Sequence, residues 1–179
     1  AVQSGCFDEI MVSTDDPEIA AASKPFGAQV PFLRTQATSD DFSTTADVIQ
    51  EVLSEYEKIN KKFEWFCCLY PTAPFISAKQ LRKAYTLLKE SRADSLVPVV
   101  RFGYPIQRAL KIEEGLLKMI WPENLNVRSQ DLLPTYHDAG QFYFGKTDQF
   151  LIEKRLFMTY TLAFEIPEIQ VQDIDNEDD

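Results

Sequence analysis

Apolar positions switch period twice along the chain. Residues 64–69 form a short run without Gly or Pro, centred on Trp65, Phe66, Cys67, Cys68 and Leu69. Such a run reads as a strand buried on both faces, mid-sheet in an α/β fold. It stops at Tyr70, where Pro71 and Pro74 bracket Thr72 and Ala73; proline gives a sheet ladder no donor. Ser77 then suits an N-cap for a helix carrying Leu81, Ala84, Tyr85, Leu87 and Leu88 on one face. A stiff turn therefore closes the carboxyl end of a central strand, where open α/β sheets bind ligands. An ordinary strand-to-helix loop would look the same.

Upstream, residues 1–7 read as a helix end broken at Gly5. Residues 9–14 and 29–33 read as strands, with a helix between them capped by Asp15 and started by Pro17 and Glu18. Residues 35–45 are polar, and 45–62 predict an amphipathic helix with Val48, Ile49, Val52, Leu53 and Tyr56 on one side. Downstream, 94–100 reads as a strand, and Pro98 places it at an edge or at a bulge. The period then changes. Residues 106–112 and 116–121 flank Glu113, Glu114 and Gly115 as a β-hairpin. Strands at 140–144, 161–166 and 169–171 and a helix over 146–154 complete the pattern. Strand–helix alternation in the first half predicts an α/β fold: a mostly parallel, Rossmann-like sheet with helices on both faces. The hairpin, within 103–125, predicts a protruding antiparallel arm on a single domain spanning 1–179.

Composition narrows the function. The formal net charge of -10 disfavours nucleic acid as a partner. No apolar run is long enough to span a bilayer, so no membrane partner is expected. Cys6, Cys67 and Cys68 make no disulfide framework, and adjacent strand residues point to opposite faces, which predicts buried packing in a reducing cytoplasm. The single His137 argues against a zinc site, and no nucleophile elbow is present. Residues 172–179 are nearly all acidic or amide. There Asp173 and Asp175, spaced i, i+2 after a strand, suit one hard cation such as Mg2+; a solvated acidic terminus is the plain alternative. Arg128 suits a carboxylate or phosphate, or is simply a surface arginine.

In order along the chain, residues 7–20, 27–34, the turn Tyr70-Pro71-Thr72-Ala73-Pro74-Phe75, residues 128–140 and Asp173-Ile174-Asp175 resemble the acylneuraminate cytidylyltransferases, which make CMP-activated nonulosonic acids. Tyr70 and Ala73, with residues 136–143, look most like the branch acting on pseudaminic acid. The resemblance implies that the anomeric hydroxyl of a nonulosonic acid attacks the α-phosphate of CTP and pyrophosphate leaves. It implies a pyrimidine wall at Pro71, Thr72 and Ala73, a sugar-acid pocket at Arg128, Gln130 and Tyr136, and Asp173 and Asp175 as catalytic magnesium ligands. It implies a homodimer closed by the arm. The family also begins with a strand and a Gly- and basic-rich phosphate loop and ends with a helix, neither of which is found here. The expectation is a chain truncated at both ends that binds CTP poorly and has little or no turnover. Two other classes fit parts of the pattern: a nucleotide-sugar glycosyltransferase, whose Asp-x-Asp follows an internal strand, and a non-catalytic binding module.

Overall fold

The computed structural model describes residues 1–40, 42–172 and 174. Its helices are α1 (Pro17–Ser23), α2 (Thr45–Lys58), α3 (Ala78–Glu90) and α4 (Thr147–Glu153). The strands are β1 (Trp65–Leu69), β2 (Ser95–Arg101), β3 (Leu110–Glu113), β4 (Leu116–Met119), β5 (Tyr136–Asp138), β6 (Phe142–Lys146) and β7 (Thr161–Glu165). In the main sheet β6 lies between β1 and β2, antiparallel to both, and β7 adds to β2 in parallel. Strands β1, β2 and β7 therefore run one way, with β6 against them. The hairpin β3–β4 forms a separate two-stranded sheet. Its turn residues Glu114 and Gly115 both have positive φ, 52° and 77°, the geometry that matches strand twist in a two-residue hairpin.

Helices cover both faces because β1 alternates. One apolar cluster joins Leu81, Ala84 and Leu88 of α3 to Leu96, Phe142 and Phe144, with Trp65, Cys67 and Leu69 packed against it. On the opposite face Ile49 of α2, Phe150 of α4 and Met158 meet Phe66 and Cys68. Burial pushes the Cys67 thiol well up and the Cys68 thiol to about 11, so both stay protonated and serve as packing. The close approach of the second cluster depends on Gly145, where a Cβ would sit 2.7 Å from the Phe66 ring.

Several local readings change. Asp16, not Asp15, caps α1: its Oδ1 accepts from the Glu18 and Ile19 amides at 2.6 and 3.4 Å, while Asp15 meets Arg34 at 3.4 Å. Segments 9–14 and 29–33 make only one isolated parallel bridge, Met11 to Gln29. Helix α2 stops at Lys58, four residues early, and Asn60 takes a positive φ of 59°. Residues 169–171 are part of a 3₁₀ turn and its exit rather than a strand. Strand β1 is half-buried throughout instead of fully enclosed.

Pro98 lies within the central strand β2, not at an edge, and it marks a bulge. Leu96 faces Phe144, yet Val99 faces Asp138, so three steps along β2 match six along its partner. The Pro98 carbonyl accepts from the Ala139 amide at 3.0 Å, but proline has no N–H to return the bond. The antiparallel ladder opens there, and residues 139–143 swing toward β1.

Candidate functional site

The bulge builds a corner at the carboxyl end of β1. The Tyr70 amide donates to the Gln141 carbonyl at 2.9 Å, and the Ala73 amide closes a turn on the Tyr70 carbonyl at 3.4 Å. Within that turn Ala73 is buried, Thr72 half-buried, and Pro71 and Pro74 exposed. A hydroxyl network backs the corner. Tyr70 Oη and Thr45 Oγ1, at the start of α2, lie 2.8 Å apart. The Tyr70 and Tyr143 rings meet at 5.2 Å. Tyr143 donates to Asp138 Oδ2 at 2.7 Å, and Asp138 Oδ1 accepts from the Gly140 amide at 3.0 Å. Burial, and then this bond to Asp138, push the Tyr143 phenol far up, so it remains a donor.

Gln141 is the second tie. It is fully buried, and its Nε2 donates to the Gln170 carbonyl at 2.8 Å. Gln80 reaches the same turn: its Nε2 donates to Gln170 Oε1 at 3.1 Å. Gln80 also completes the α3 capping box with Ser77, accepting the Ser77 amide at 2.8 Å. The chain leaving β7 is thus fastened beside the Tyr70 turn. Both α2 and α3 begin next to it, and helix N-termini favour anions.

Asp173 and Asp175 fall outside the described residues. Among the described residues no cluster of three or more His, Cys, Asp or Glu side chains could hold a metal. The chemistry of the pair fits a hard cation, because carboxylate oxygens are what magnesium takes alongside water and phosphate. Arg128 is engaged elsewhere. Its guanidinium forks onto Asp131, Nε to Oδ2 at 2.8 Å and Nη2 to Oδ1 at 3.2 Å. Gln130 is exposed on the same 3₁₀ turn. Neighbouring Ser129 accepts from Arg108, and the Leu133 carbonyl accepts from Gln107. Tyr136 begins β5 opposite Arg101, 43% exposed. None of the hydrogen bonds or ion pairs among the described residues joins Arg128 or Gln130 to the Tyr70 corner.

The corner thus gathers Pro71, Thr72 and Ala73 with side chains that the sequence did not single out: Thr45, Gln80, Asp138, Gln141, Tyr143 and Gln170. A family model described as cytidylyltransferase matches residues 1–173. The chain belongs to the cytidylyltransferase family. Against a pseudaminic acid cytidylyltransferase of Campylobacter jejuni subsp. jejuni serotype O:2, this cytidylyltransferase-family chain is 37% identical over 176 residues, covering 98% of this chain and 76% of the relative. A CMP-N,N'-diacetyllegionaminic acid synthase of Legionella pneumophila is 28% identical over 159 residues, covering 88% and 67%. Among solved structures, a CMP:2-keto-3-deoxy-manno-octonic acid synthetase complexed with CTP superposes with a TM-score of 0.62. It is 13% identical and covers 93% of this chain and 75% of that one; at that identity the likeness speaks for the fold. Among the described residues, no helix of this cytidylyltransferase-family member is long and apolar enough to cross a membrane.

Proposed function

We propose that this protein joins CTP to a nonulosonic acid of the pseudaminic type, releasing pyrophosphate and forming the CMP-sugar. The observation that carries the reading is the double tie of Gln141: its carbonyl holds the Tyr70 turn and its amide holds Gln170. In this reading the acidic pair, three and five residues beyond Gln170 in the sequence, serves the same site as the proline turn. A relative 37% identical that is named for pseudaminic acid supports the substrate class.

In this reading Pro71, Thr72 and Ala73 form one wall for the pyrimidine, with the Tyr70–Tyr143–Asp138 network fixing the wall's orientation. Proline and buried alanine offer rigid backbone and a flat apolar contact at little entropic cost. The helix N-termini beside the turn favour the anionic triphosphate. Asp173 and Asp175 would hold the divalent cation that the family generally uses, here Mg2+, which neutralises charge on the phosphates when bound. Tyr136, Gln130 and Arg128 would face the sugar acid. For Arg128 this requires exchanging the Asp131 carboxylate for that of the ligand, a swap between chemically equal partners.

The test supplies CTP, Mg2+ and pseudaminic acid and measures pyrophosphate and CMP-sugar. A parallel reaction offers a preformed nucleotide-sugar and an acceptor. CMP-sugar formation, at a low rate, is expected from the free acid and not from the preformed nucleotide-sugar. Transfer from the preformed nucleotide-sugar alone would instead support a glycosyltransferase, and neither product would support a binding module.

We also read the hairpin arm as a contact between two copies. Ile112, Leu116 and Leu117 are 76%, 64% and 64% exposed, and Leu110, Ile120 and Trp121 add to the same arm. Apolar surface of that extent marks an interaction site. Light scattering at micromolar concentration should give the mass of a homodimer, and substituting Leu116 and Leu117 together by Ser should give a folded monomer. A wild-type monomer at that concentration removes the arm's role.

A further inference from the structure

At the foot of the hairpin arm the 3₁₀ turn Ile106–Arg108 lies along residues 128–136. Three hydrogen bonds close this seam. The Phe102 amide donates to the Thr135 carbonyl at 3.0 Å, and Gln107 Nε2 to the Leu133 carbonyl at 2.9 Å. Arg108 Nη1 donates to Ser129 Oγ at 3.3 Å, the longest of the three. That acceptor is a neutral hydroxyl. Among the described residues no carboxylate pairs with Arg108, and the Nε–Nη2 edge of its guanidinium has no partner. Arg128, next to the same serine, is in the opposite state: Asp131 already fills its fork. A third guanidinium, that of the exposed Arg101, stands opposite Tyr136 in the register of β2 and β5. Three arginines thus border residues 128–136, and Asp131 answers one of them.

Two more polar atoms on the seam lack partners. Gln107 Oε1 and Thr135 Oγ1 are shut off from solvent, and neither has a hydrogen bond among the described residues. A buried polar atom left in that state raises the free energy of the seam and marks a place for a water or a ligand group. Energetics then choose between the arginines. A ligand carboxylate that reaches Arg128 displaces an equal carboxylate, so the exchange gains little. One that reaches Arg108 replaces a neutral acceptor by a charged one, and charge-assisted bonds of this kind are about twice as strong. We propose that Arg108 is the residue that selects for the acid. Its guanidinium takes the carboxylate of the sugar acid on the open Nε–Nη2 edge, while the Arg128–Asp131 fork stays closed and holds the turn. Hydroxyls of the same sugar are the partners that Gln107 Oε1 and Thr135 Oγ1 lack. This rests on the nonulosonic acid reading above and moves its carboxylate contact from Arg128 to Arg108.

The test is a ligand-observed NMR titration of the 179-residue protein with pseudaminic acid and with its methyl ester, which keeps the sugar and removes the charge. It is run with and without CTP, and Mg2+ is withheld so that nothing turns over. The wild-type protein is expected to bind the acid about thirtyfold more tightly than the ester. Arg108→Gln should bring that ratio to near one by weakening the acid alone. Arg108→Lys keeps the charge without the fork and should keep part of the preference. Arg128→Gln frees the turn and should weaken acid and ester by the same factor, leaving the ratio in place. A ratio lost in Arg128→Gln and kept in Arg108→Gln returns the carboxylate to Arg128 and overturns the proposal. An Arg108→Gln protein that loses acid and ester alike also overturns it, because a packing role gives that result. Inorganic pyrophosphate bound more tightly than the acid, and lost in Arg108→Gln, would assign the guanidinium to phosphates and overturns it too. Failure of the nonulosonic acid reading itself looks different: the wild-type protein then binds neither sugar compound under either condition, and the role of Arg108 falls with it.

Discussion

Replacing Asp173 by asparagine is expected to lower kcat/KM for CMP-sugar formation by about three orders of magnitude. A hard cation bound by two carboxylates loses half its protein charge in that variant, and a catalytic cation supplies several kcal/mol of charge stabilisation. Each 1.36 kcal/mol is about tenfold in rate, so losing roughly 4 kcal/mol gives the expected drop. The amide keeps the shape and removes the charge, which separates metal binding from packing. Asp178→Asn removes the same charge from the same acidic stretch and should leave the rate within about twofold, because Asp178 is not one of the proposed cation ligands. Titrating Mn2+ and following its free signal by electron paramagnetic resonance gives a readout independent of turnover. Asp173→Asn should abolish tight Mn2+ binding, and Asp178→Asn should not. If the two variants behave alike in both measurements, the acidic stretch is a solvated terminus and the metal assignment fails.

What the sequence made legible was local. The Ser77 cap is an i, i+3 exchange with Gln80, and the Glu114-Gly115 turn needs only two residues able to take positive φ. The proline turn after β1 is punctuation that no tertiary contact overrides. Pro98 was legible as one of two alternatives, and only the partner strand decides for the bulge, because the slip is visible only when β2 is set against residues 138–144. The corner's supports were not legible. Gln141 and Gln170 are polar residues separated by 29 positions, and nothing in their spacing says that one seals the other. Segments 9–14 and 29–33 carry strand composition, but the single bridge between Met11 and Gln29 joins them without a continuous ladder, so their composition alone does not make them strands. Arg128 shows the reverse case. Its i, i+3 partner Asp131 is local, and that carboxylate occupies the guanidinium before any ligand does.

Phe142→Ala should be the most destabilising of the large-to-small core changes, at about 3–5 kcal/mol. Phe142 has no exposed surface. Its ring meets Phe144 edge-on at 5.9 Å and Phe164 at 6.1 Å, inside the cluster formed with Leu81, Ala84, Leu88, Leu96 and Ile166. Three strands and α3 converge on this one ring, so no single element can move to close the hole without leaving another. Relaxation is further limited because β6 is held to β1 at Phe142 itself and to β2 two and three residues on, at Phe144 and Gly145. For a domain of this size the loss corresponds to roughly 10 °C in Tm. Phe26→Ala, at a site 81% exposed, should stay within about 0.5 kcal/mol. Urea unfolding of both variants measures the contrast, with the slope checked so that a changed denatured state is not mistaken for a weakened core. The consequence reaches the corner, because Gln141 and Tyr143 flank Phe142 on the same strand and hold Gln170 and Asp138. A Phe142→Ala protein that is still folded at 10 °C should therefore bind CTP more weakly than Phe26→Ala does. Equal stability of the two variants would mean that the central cluster is not the core of the fold, and the corner would lose the frame that positions it.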